Sequence, residues 1–161
     1  MKKLLILSSV VMAAVACNNT DYSGKKGSNE SGTQSTTTTT SDGNPSYDPQ
    51  RGSGKFTKVD VSPNLDAAKA DAGEKVFSVK CNSCHKLTQE KLVGPGWKDV
   101  THRHTVEWIM NFATNPDEML NKDPKAQAML EICLVRMPDQ HLSDEEARDV
   151  YEFMRKNDGV K

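Results

Sequence analysis

Five consecutive residues combine two thiols with an imidazole: Cys81-Asn82-Ser83-Cys84-His85. A C-x-x-C-H run is the pattern of a c-type haem attachment site, in which each thiol adds across a haem vinyl group to form a thioether. On a helical turn this spacing places both sulfurs on one side, against one edge of the macrocycle. The histidine can then bind the iron as an axial ligand. The motif predicts one covalent haem c, with its iron, held by Cys81, Cys84 and His85.

Two other chemistries use a C-x-x-C pair. A redox dithiol of the thioredoxin type goes with a βαβ pattern, which this sequence does not show. Half of a zinc site needs a second Cys/His pair at a zinc-finger spacing, and none follows in a chain with only four Cys and four His. Haem attachment is therefore the favoured interpretation.

The first sixteen residues are organised as an export signal, and we predict a signal peptide over 1–16. Met1-Lys2-Lys3 is basic, and residues 4–16 are apolar apart from two serines, a run too short to span a membrane. The end, Ala14-Val15-Ala16-Cys17, resembles the lipobox of bacterial lipoproteins, although Ala14 stands where Leu is commonest. The resemblance implies cleavage before Cys17 and lipid attachment to it. The alternative is an ordinary Ala-x-Ala cleavage that releases a soluble protein.

Export agrees with the haem motif, because c-type attachment takes place outside the bacterial cytoplasm. We therefore expect a protein on the periplasmic side, lipid-anchored to a bacterial membrane. The net charge of −1 does not indicate nucleic-acid binding.

Residues 17–63 are rich in Ser, Thr, Gly, Asn and Pro, with an unbroken threonine run at 36–40. Such a segment buries too little apolar surface to offset its chain entropy, so we predict a disordered tether. A flexible chain of this length has a root-mean-square reach of roughly 35–40 Å, enough to swing a small domain between partners. A spacer without a selected length is the alternative.

Residues 64–161 show helical periodicity, and we predict one haem domain there. The first helix is expected over 66–84, with an apolar face of Ala72, Val76 and Val79 widened by Phe77. Further helices are expected over 105–114, from Pro124 to about Leu134, and from a capping box at Ser143 to Gly159. Their apolar faces are Val106, Ile109, Met110 and Ala113; Ala128, Met129 and Ile132; and Ala147, Val150, Tyr151 and Met154. No segment alternates over strand length, so the fold class is all-α.

This domain resembles the small class I (monohaem) bacterial cytochromes c. The matching pieces are Ala72-Gly73-Glu74-Lys75-Val76-Phe77 before the haem motif, Val93-Gly94-Pro95-Gly96 after it, and Met137-Pro138 ahead of the last helix. The resemblance implies a cytochrome c fold with haem in its core. The N- and C-terminal helices are expected to cross at Gly73, Phe77 and Tyr151.

The resemblance also implies that Met137 is the second axial ligand. The proline after it disfavours helix, and a loop lets the thioether reach the open side of the haem. His141 is the nearest alternative, while His102 and His104 are expected to be solvated or to line a haem propionate. The remaining methionines in helical patterns are expected to fill the core: Met110, Met119, Met129 and Met154.

Three further residues have weaker assignments. The resemblance implies that the Pro95 carbonyl faces the imidazole N–H of His85. Trp97 is implied to bond a propionate, or else simply packs over the haem edge. Cys133 is expected to be a buried thiol, with an interchain disulfide as the alternative.

An iron with two protein ligands has no open position for a substrate, so the expected function is one-electron transfer rather than catalysis. The family implies redox partners: a quinol-oxidising complex as donor, and a terminal oxidase or anaerobic reductase as acceptor. The chain itself is expected to be a monomer. A labile sixth ligand would instead give a peroxidase-like enzyme or a gas sensor, and permanent docking would give an electron-entry subunit of a larger complex.

Cations lie close to the haem motif in sequence, and one hypothesis is a basic collar that meets an acidic patch on the partner. An ordinary mixed-charge surface is the alternative. The cations are Lys75, Lys80, Lys86, Lys91, Lys98 and Arg103.

Overall fold

The computed structural model describes residues 47–161. The predictions for 1–16, for Cys17 and for the tether up to residue 46 lie outside these residues. The helices are α1 (Ala67–Val76), continued by a π-helical segment (Phe77–Cys81), α2 (Val100–Arg103), α3 (Val106–Thr114), α4 (Pro116–Lys122), α5 (Pro124–Cys133) and α6 (Asp144–Asn157). No strand occurs within 47–161, so the all-α prediction is confirmed. None of these helices has both the length and the apolar character needed to cross a bilayer.

The centre of the fold is the crossing of α1 and α6. A Cβ atom added at Gly73 would lie 2.1 Å from the Asp149 carbonyl oxygen and 2.8 Å from the Val150 nitrogen, so only glycine lets the two backbones approach. Ser143 and Glu146 form the predicted capping box of α6, and its acidic first turn favours the positive helix end. The predicted apolar face of α6 is buried. The crossing implied at Gly73 is therefore confirmed.

The predicted apolar face of the first helix is confirmed at Phe77, which is buried, and at Val76, which packs against the core, but it is wrong at Val79. Val79 is 81% exposed, whereas Ala70, Gly73, Phe77 and Cys81 are buried. Gly73, which lies against the backbone of α6, has no apolar side chain, so a search for periodic apolar residues does not find it. After Val76 the helix also widens, with the Asn82 amide donating to the Phe77 carbonyl at 3.0 Å, and this i, i+5 bond shifts the residues that follow around the axis.

The prediction for α3 is confirmed, since its four predicted apolar residues are all buried. The prediction for α5 is right in extent, and Met129 packs against the core as expected, but the predictions for Ala128 and Ile132 are wrong. Ala126 is buried, Ala128 is exposed, and Ile132 is 68% exposed.

Two short helices were not predicted. Asn115 ends α3, as expected, but its side chain also caps α4 by accepting from the Glu118 amide. Pro116 then occupies the first turn of α4, where its missing N–H costs nothing. The first turn of α2 is held by Asp158, which accepts from the Asp99 and Thr101 amides at 2.7 and 2.9 Å. Because the capping residue is distant in the sequence, the residues around α2 contain no helix-start pattern that would predict it.

The tether prediction differs from the structure at its C-terminal end. Residues 47–63, which we call the wrap segment, pack against the domain through Phe56, Val59 and Val61. The fully buried side chain of Asn111 accepts from the Phe56 amide at 2.9 Å and donates to the carbonyls of Arg51 and Phe56 at 3.0 and 2.9 Å. These apolar contacts and hydrogen bonds order a segment whose composition favours disorder. The composition does not reveal them, because each partner lies far away in the sequence.

Candidate haem-binding site

The π-helical segment places Cys81 at the start of a tight turn. Its carbonyl accepts from the Cys84 amide at 3.0 Å and from the His85 amide at 2.9 Å. Cys81 is buried and Cys84 half-buried, and both thiols are free. The turn therefore holds the two sulfurs and the imidazole within one compact stretch of backbone.

The Cys81 thiol is not activated for redox exchange. Burial raises its pKa to about 11, only partly opposed by the charge of Lys80. Redox dithiols need the opposite, a pKa lowered toward neutrality. A zinc site at the Cys81–Cys84 pair is not supported either, because within 47–161 no group of three or more His, Cys, Asp or Glu side chains could hold a metal ion.

The imidazole of His85 is held in one orientation. Its Nδ1 lies 2.9 Å from the Pro95 carbonyl oxygen, so Nδ1 carries the proton and donates it. Burial lowers the pKa of His85 and so favours the neutral ring, and the hydrogen bond to Pro95 partly opposes this shift. Nε2 is left with its lone pair, the form in which histidine binds a metal. The contact expected of Pro95 is thus present.

Gly94 shapes the space beside this ring. A Cβ atom there would lie 2.4 Å from Cε1 of His85 and 2.8 Å from its Nδ1. The Gly94 amide also donates to the Cys84 carbonyl at 2.9 Å. This loop therefore fits a planar imidazole and leaves no room for a side chain.

Trp97 packs rather than reaching into solvent. It is 6% exposed, and its ring centroid lies 4.9 Å from that of Phe77 and 5.4 Å from that of His85. Phe77 in turn contacts Phe153 of α6 at 5.4 Å. The helix crossing and His85 are therefore linked through two aromatic rings.

Met137 is half-buried in the loop that joins α5 to α6. Its neighbour Arg136 donates to Asp117 at 2.9 Å and to Asn121 at 3.3 Å, both on α4. Leu142 is buried at the other end of the loop. The unpredicted helix α4 therefore helps to position the segment that carries the predicted second ligand.

The other candidate ligands are dispersed. His102 and His141 have side chains 63% and 88% exposed. His104 is not the solvated residue expected. Its ring stacks on Trp108 at 3.9 Å, and its Nδ1 is buried without a hydrogen-bond partner. Cys133 is half-buried, and Met110, Met119 and Met154 are buried, as expected of core fillers.

Two of the six cations of the proposed basic collar are paired with carboxylates, and two others donate to backbone carbonyls and keep their charge. Lys80 pairs with Glu146 at 3.0 Å and Lys86 with Glu90 at 2.6 Å. Lys91 donates to the Ile132 carbonyl, and Arg103 to that of Gly96.

The arrangement suits a covalently held haem. It has the two free thiols of Cys81 and Cys84 on one turn and an imidazole whose Nδ1 is hydrogen-bonded to Pro95. Gly94 has no side chain that would clash with this ring. An imidazole nitrogen is also an established ligand of haem iron.

Comparison with known proteins agrees with this chemistry. The family model described as cytochrome c matches residues 70–158. A cytochrome c from Rhodothermus marinus shares 34% identity at a TM-score of 0.63, covering 65% of this chain and 90% of its own. An engineered cytochrome c from the same organism shares 32% identity at a TM-score of 0.65, covering 69% of this chain and 98% of its own. The structure of the same engineered protein bound to a carbene intermediate shares 32% identity at a TM-score of 0.63, and it also covers 69% of this chain and 98% of its own.

No protein of curated function matches the chain significantly. The family match nevertheless covers more than half of its 161 residues. Members of this family bind a covalently attached haem c and use it for electron transfer. The chain belongs to the cytochrome c family.

Proposed function

We propose that this chain is a one-electron carrier with His/Met-ligated haem c. Cys81 and Cys84 would form the thioethers, and His85 and Met137 the two axial bonds. When bound, the haem iron supplies the exchange of one electron between Fe(II) and Fe(III). The observation that carries the proposal is the 2.9 Å contact between Nδ1 of His85 and the Pro95 carbonyl, because it leaves the lone pair of Nε2 available to an iron.

The protein's own residues would keep this site rigid. The Pro95 carbonyl fixes the tautomer and the orientation of the imidazole and makes it a stronger donor. Phe77 and Trp97 exclude water from the proximal side, since both are buried. The bonds of Arg136 to α4 restrain the loop that carries Met137. Two held ligands leave no position for a substrate, which favours a carrier over an enzyme.

The cellular setting is part of the proposal and rests on the sequence. Cys17 would be acylated after removal of 1–16, anchoring the protein on the periplasmic side of a bacterial membrane. A quinol-oxidising complex would be the donor, and a terminal oxidase or anaerobic reductase the acceptor. A Cys17→Ser variant should move from the membrane fraction to the soluble periplasmic fraction. If it stays membrane-bound, this anchor is not the one used.

The ligation is tested by the visible spectrum of the oxidised, haem-loaded protein. Wild type should show the weak long-wavelength sulfur-to-iron charge-transfer band. Met137→Ala should lose the band, have a lower reduction potential and bind carbon monoxide when reduced. Met129→Leu, at a half-buried methionine of α5, is the control and should keep all three properties of wild type.

The second candidate is a haem protein with an open iron site. The engineered relative bound to a carbene intermediate makes it worth testing. A wild type that lacks the band and binds carbon monoxide when reduced would favour this function over the carrier.

A further inference from the structure

His104, at the C-terminal end of α2, stacks on Trp108 in the first turn of α3. The two ring centroids lie 3.9 Å apart, with 15° between the planes. Trp108 is 4% exposed, and Nδ1 of His104 is buried as well. Among the described residues, this Nδ1 and the indole Nε1 are the buried side-chain polar atoms without a hydrogen-bond partner. The side chain that charges most readily near neutral pH thus has one nitrogen in a site that offers it no partner.

The first four residues of the wrap segment bind beside this stack, and we call residues 47–50 the latch. The hydroxyl of Tyr47 donates to Asp123 at 2.6 Å. Nζ of Lys125 donates to the Pro49 carbonyl at 2.8 Å. Asp123 and Lys125 both lie at the N-terminal end of α5, and their charges act on the histidine of the stack. The groups that hold the latch are therefore neighbours of this histidine.

The end of the latch lies against the stack itself. Thr105, which follows His104 in the chain, donates from Oγ1 to the Gln50 carbonyl. A Cβ atom added at Gly52 would lie 3.1 Å from Cδ1 of Trp108, so the turn after the latch passes close to the indole. The latch is thus bonded both to α5 and to the residue next to the histidine.

The remainder of the wrap segment is held by other residues. The side chain of Asn111 accepts from the Phe56 amide and donates to the Phe56 carbonyl, both at 2.9 Å. The Val59 amide donates to Glu107 at 2.8 Å. Neither contact involves the stacked pair or α5, so residues 51–63 can stay bound when the latch is released.

More positive than negative charge faces His104. The groups that face it are Arg103 on α2, Lys125 and Asp123 on α5 and, bonded to Asp123, the phenol of Tyr47 in the latch. Burial lowers the pKa of His104 from 6.5 to about 4; the two cations act in the same direction, and Asp123 acts against them. The closed latch therefore favours the neutral ring.

Protonation changes what the ring of His104 requires. An imidazolium donates from both nitrogens, so the buried Nδ1 would need an acceptor. The carboxylate that faces the ring belongs to Asp123, which is fully buried. Its two oxygens already accept from the Tyr47 hydroxyl and the Ala126 amide, at 2.6 and 2.8 Å. Release of the latch removes the Tyr47 hydroxyl, which frees one carboxylate oxygen and admits water to the stack.

We propose that residues 47–50 are a pH-sensitive latch, which protonation of His104 releases while residues 51–63 stay bound. The point at which the chain leaves the domain then moves from Tyr47 to Arg51. Four extended residues lengthen the predicted tether by up to roughly 14 Å. None of the latch contacts described above involves a haem-binding residue, so the proposal does not depend on the carrier function.

The direction follows from the two protonation equilibria of His104. The closed latch holds the pKa of His104 at about 4, and release returns it toward 6.5. The released form therefore binds the proton more tightly, and its population rises as the pH falls from 6.5 to 4. Over this range the ratio of released to closed latch increases on the order of a hundredfold, and it does not change further at lower pH.

NMR of the full, haem-loaded and reduced chain across pH 4–7 tests the latch. The shifts of the His104 ring protons report its protonation, and heteronuclear NOE values report the mobility of each backbone amide. In wild type, the NOE values of Asp48 and Gln50 should fall with the same midpoint as the titration of His104, between pH 4 and pH 6.5. Phe56 and Val59 should keep their NOE values, because other residues hold them.

His104→Phe is the decisive variant. Phenylalanine keeps an aromatic ring on Trp108 but cannot be protonated, so the latch should stay ordered down to pH 4. His102→Gln, at a side chain 63% exposed, is the matched control and should release the latch at the pH of wild type.

Three results would overturn the proposal. The first is release of the latch in His104→Phe at the pH of wild type. The second, which needs no variant, is titration of His104 in wild type without a change at Asp48 and Gln50. The third is loss of the NOE values of Phe56 and Val59, or of the low-spin haem spectrum, together with those of the latch, because the domain would then be unfolding as a whole.

Discussion

Nδ1 of His85 lies 2.9 Å from the carbonyl oxygen of Pro95, and Gly94 leaves the imidazole the space to stay there. The hydrogen bond sets the tautomer, while the missing side chain of the glycine sets the position of the ring. Both come from one short loop, whose Gly94 amide is bonded to the Cys84 carbonyl. The loop after the haem motif is therefore as much a part of the site as the motif itself.

Gly94→Ala should disrupt this arrangement. Its Cβ would lie 2.4 Å from Cε1 of His85, so the ring must move and lose its bond to Pro95. We expect the fraction of protein with the low-spin haem spectrum to fall roughly tenfold. Gly159→Ala is the control, because nothing lies within 4 Å of the added methyl, although φ of 92° adds backbone strain. Equal spectra for both variants would show that the ring does not need this space.

Gly73→Ala tests the helix crossing. Helix propensity alone predicts a gain of about 1 kcal/mol. The added methyl would lie 2.1 Å from the Asp149 carbonyl oxygen, a backbone atom that cannot move aside. We therefore expect the free energy of unfolding to fall by at least about 2 kcal/mol in denaturant titrations. Ala68→Gly, on the exposed face of α1, should lose only about 1 kcal/mol. A gain in stability for Gly73→Ala contradicts the close crossing.

Asn111→Leu tests how the wrap segment is held. The change keeps the size of a fully buried side chain but removes three hydrogen bonds to the backbone of Arg51 and Phe56. We expect the free energy of unfolding to fall by about 3–5 kcal/mol, since three hydrogen bonds of a buried amide are lost at once. Trypsin should then cut after Arg51 or Lys55 while the rest of the domain stays intact.

The matched control is Gln127→Ala, which removes one exposed hydrogen bond to the Asn121 carbonyl. Its effect should stay within about 0.5 kcal/mol. Resistance of Asn111→Leu to trypsin at these sites would mean that other contacts suffice to hold the segment.

The stability of the domain should depend on pH through His104. Burial, with the charges of Arg103 and Lys125, lowers the pKa of His104 from 6.5 to about 4, against an opposing effect of Asp123. Between pH 4 and pH 6.5, His104 is protonated in the unfolded chain but not in the folded protein. The free energy of unfolding therefore falls as the pH falls from 6.5 to 4. The loss amounts to about 3 kcal/mol and does not grow below pH 4.

His104→Phe should flatten this dependence, because it keeps an aromatic ring on Trp108 but cannot titrate. His102→Gln, at a side chain 63% exposed, should leave the slope of wild type in place. Unfolding of the haem-loaded protein across pH 4–7 gives the comparison. An unchanged slope in His104→Phe would assign the dependence to other groups.

Features that depend on neighbouring residues could be predicted from the sequence. The capping box at Ser143 and the apolar period of α3 were predicted correctly, since a helix cap and a helical face depend on neighbours within a few residues. The all-α class followed from the same periodicity. Prediction failed where the partner is distant: Asp158 caps α2 from the other end of the chain, and Asn111 holds the wrap segment.

By itself, the sequence determined the chemistry of this protein. Cys81, Cys84 and His85 are adjacent in the chain, so their spacing alone indicates haem attachment whatever the rest of the fold. Only the tertiary structure decided that Gly94 leaves space for the imidazole, that Val79 lies on the exposed side of the first helix, and that residues 47–63 are folded. These depend on groups up to 93 residues apart in the chain, and packing rather than any local pattern brings such groups together.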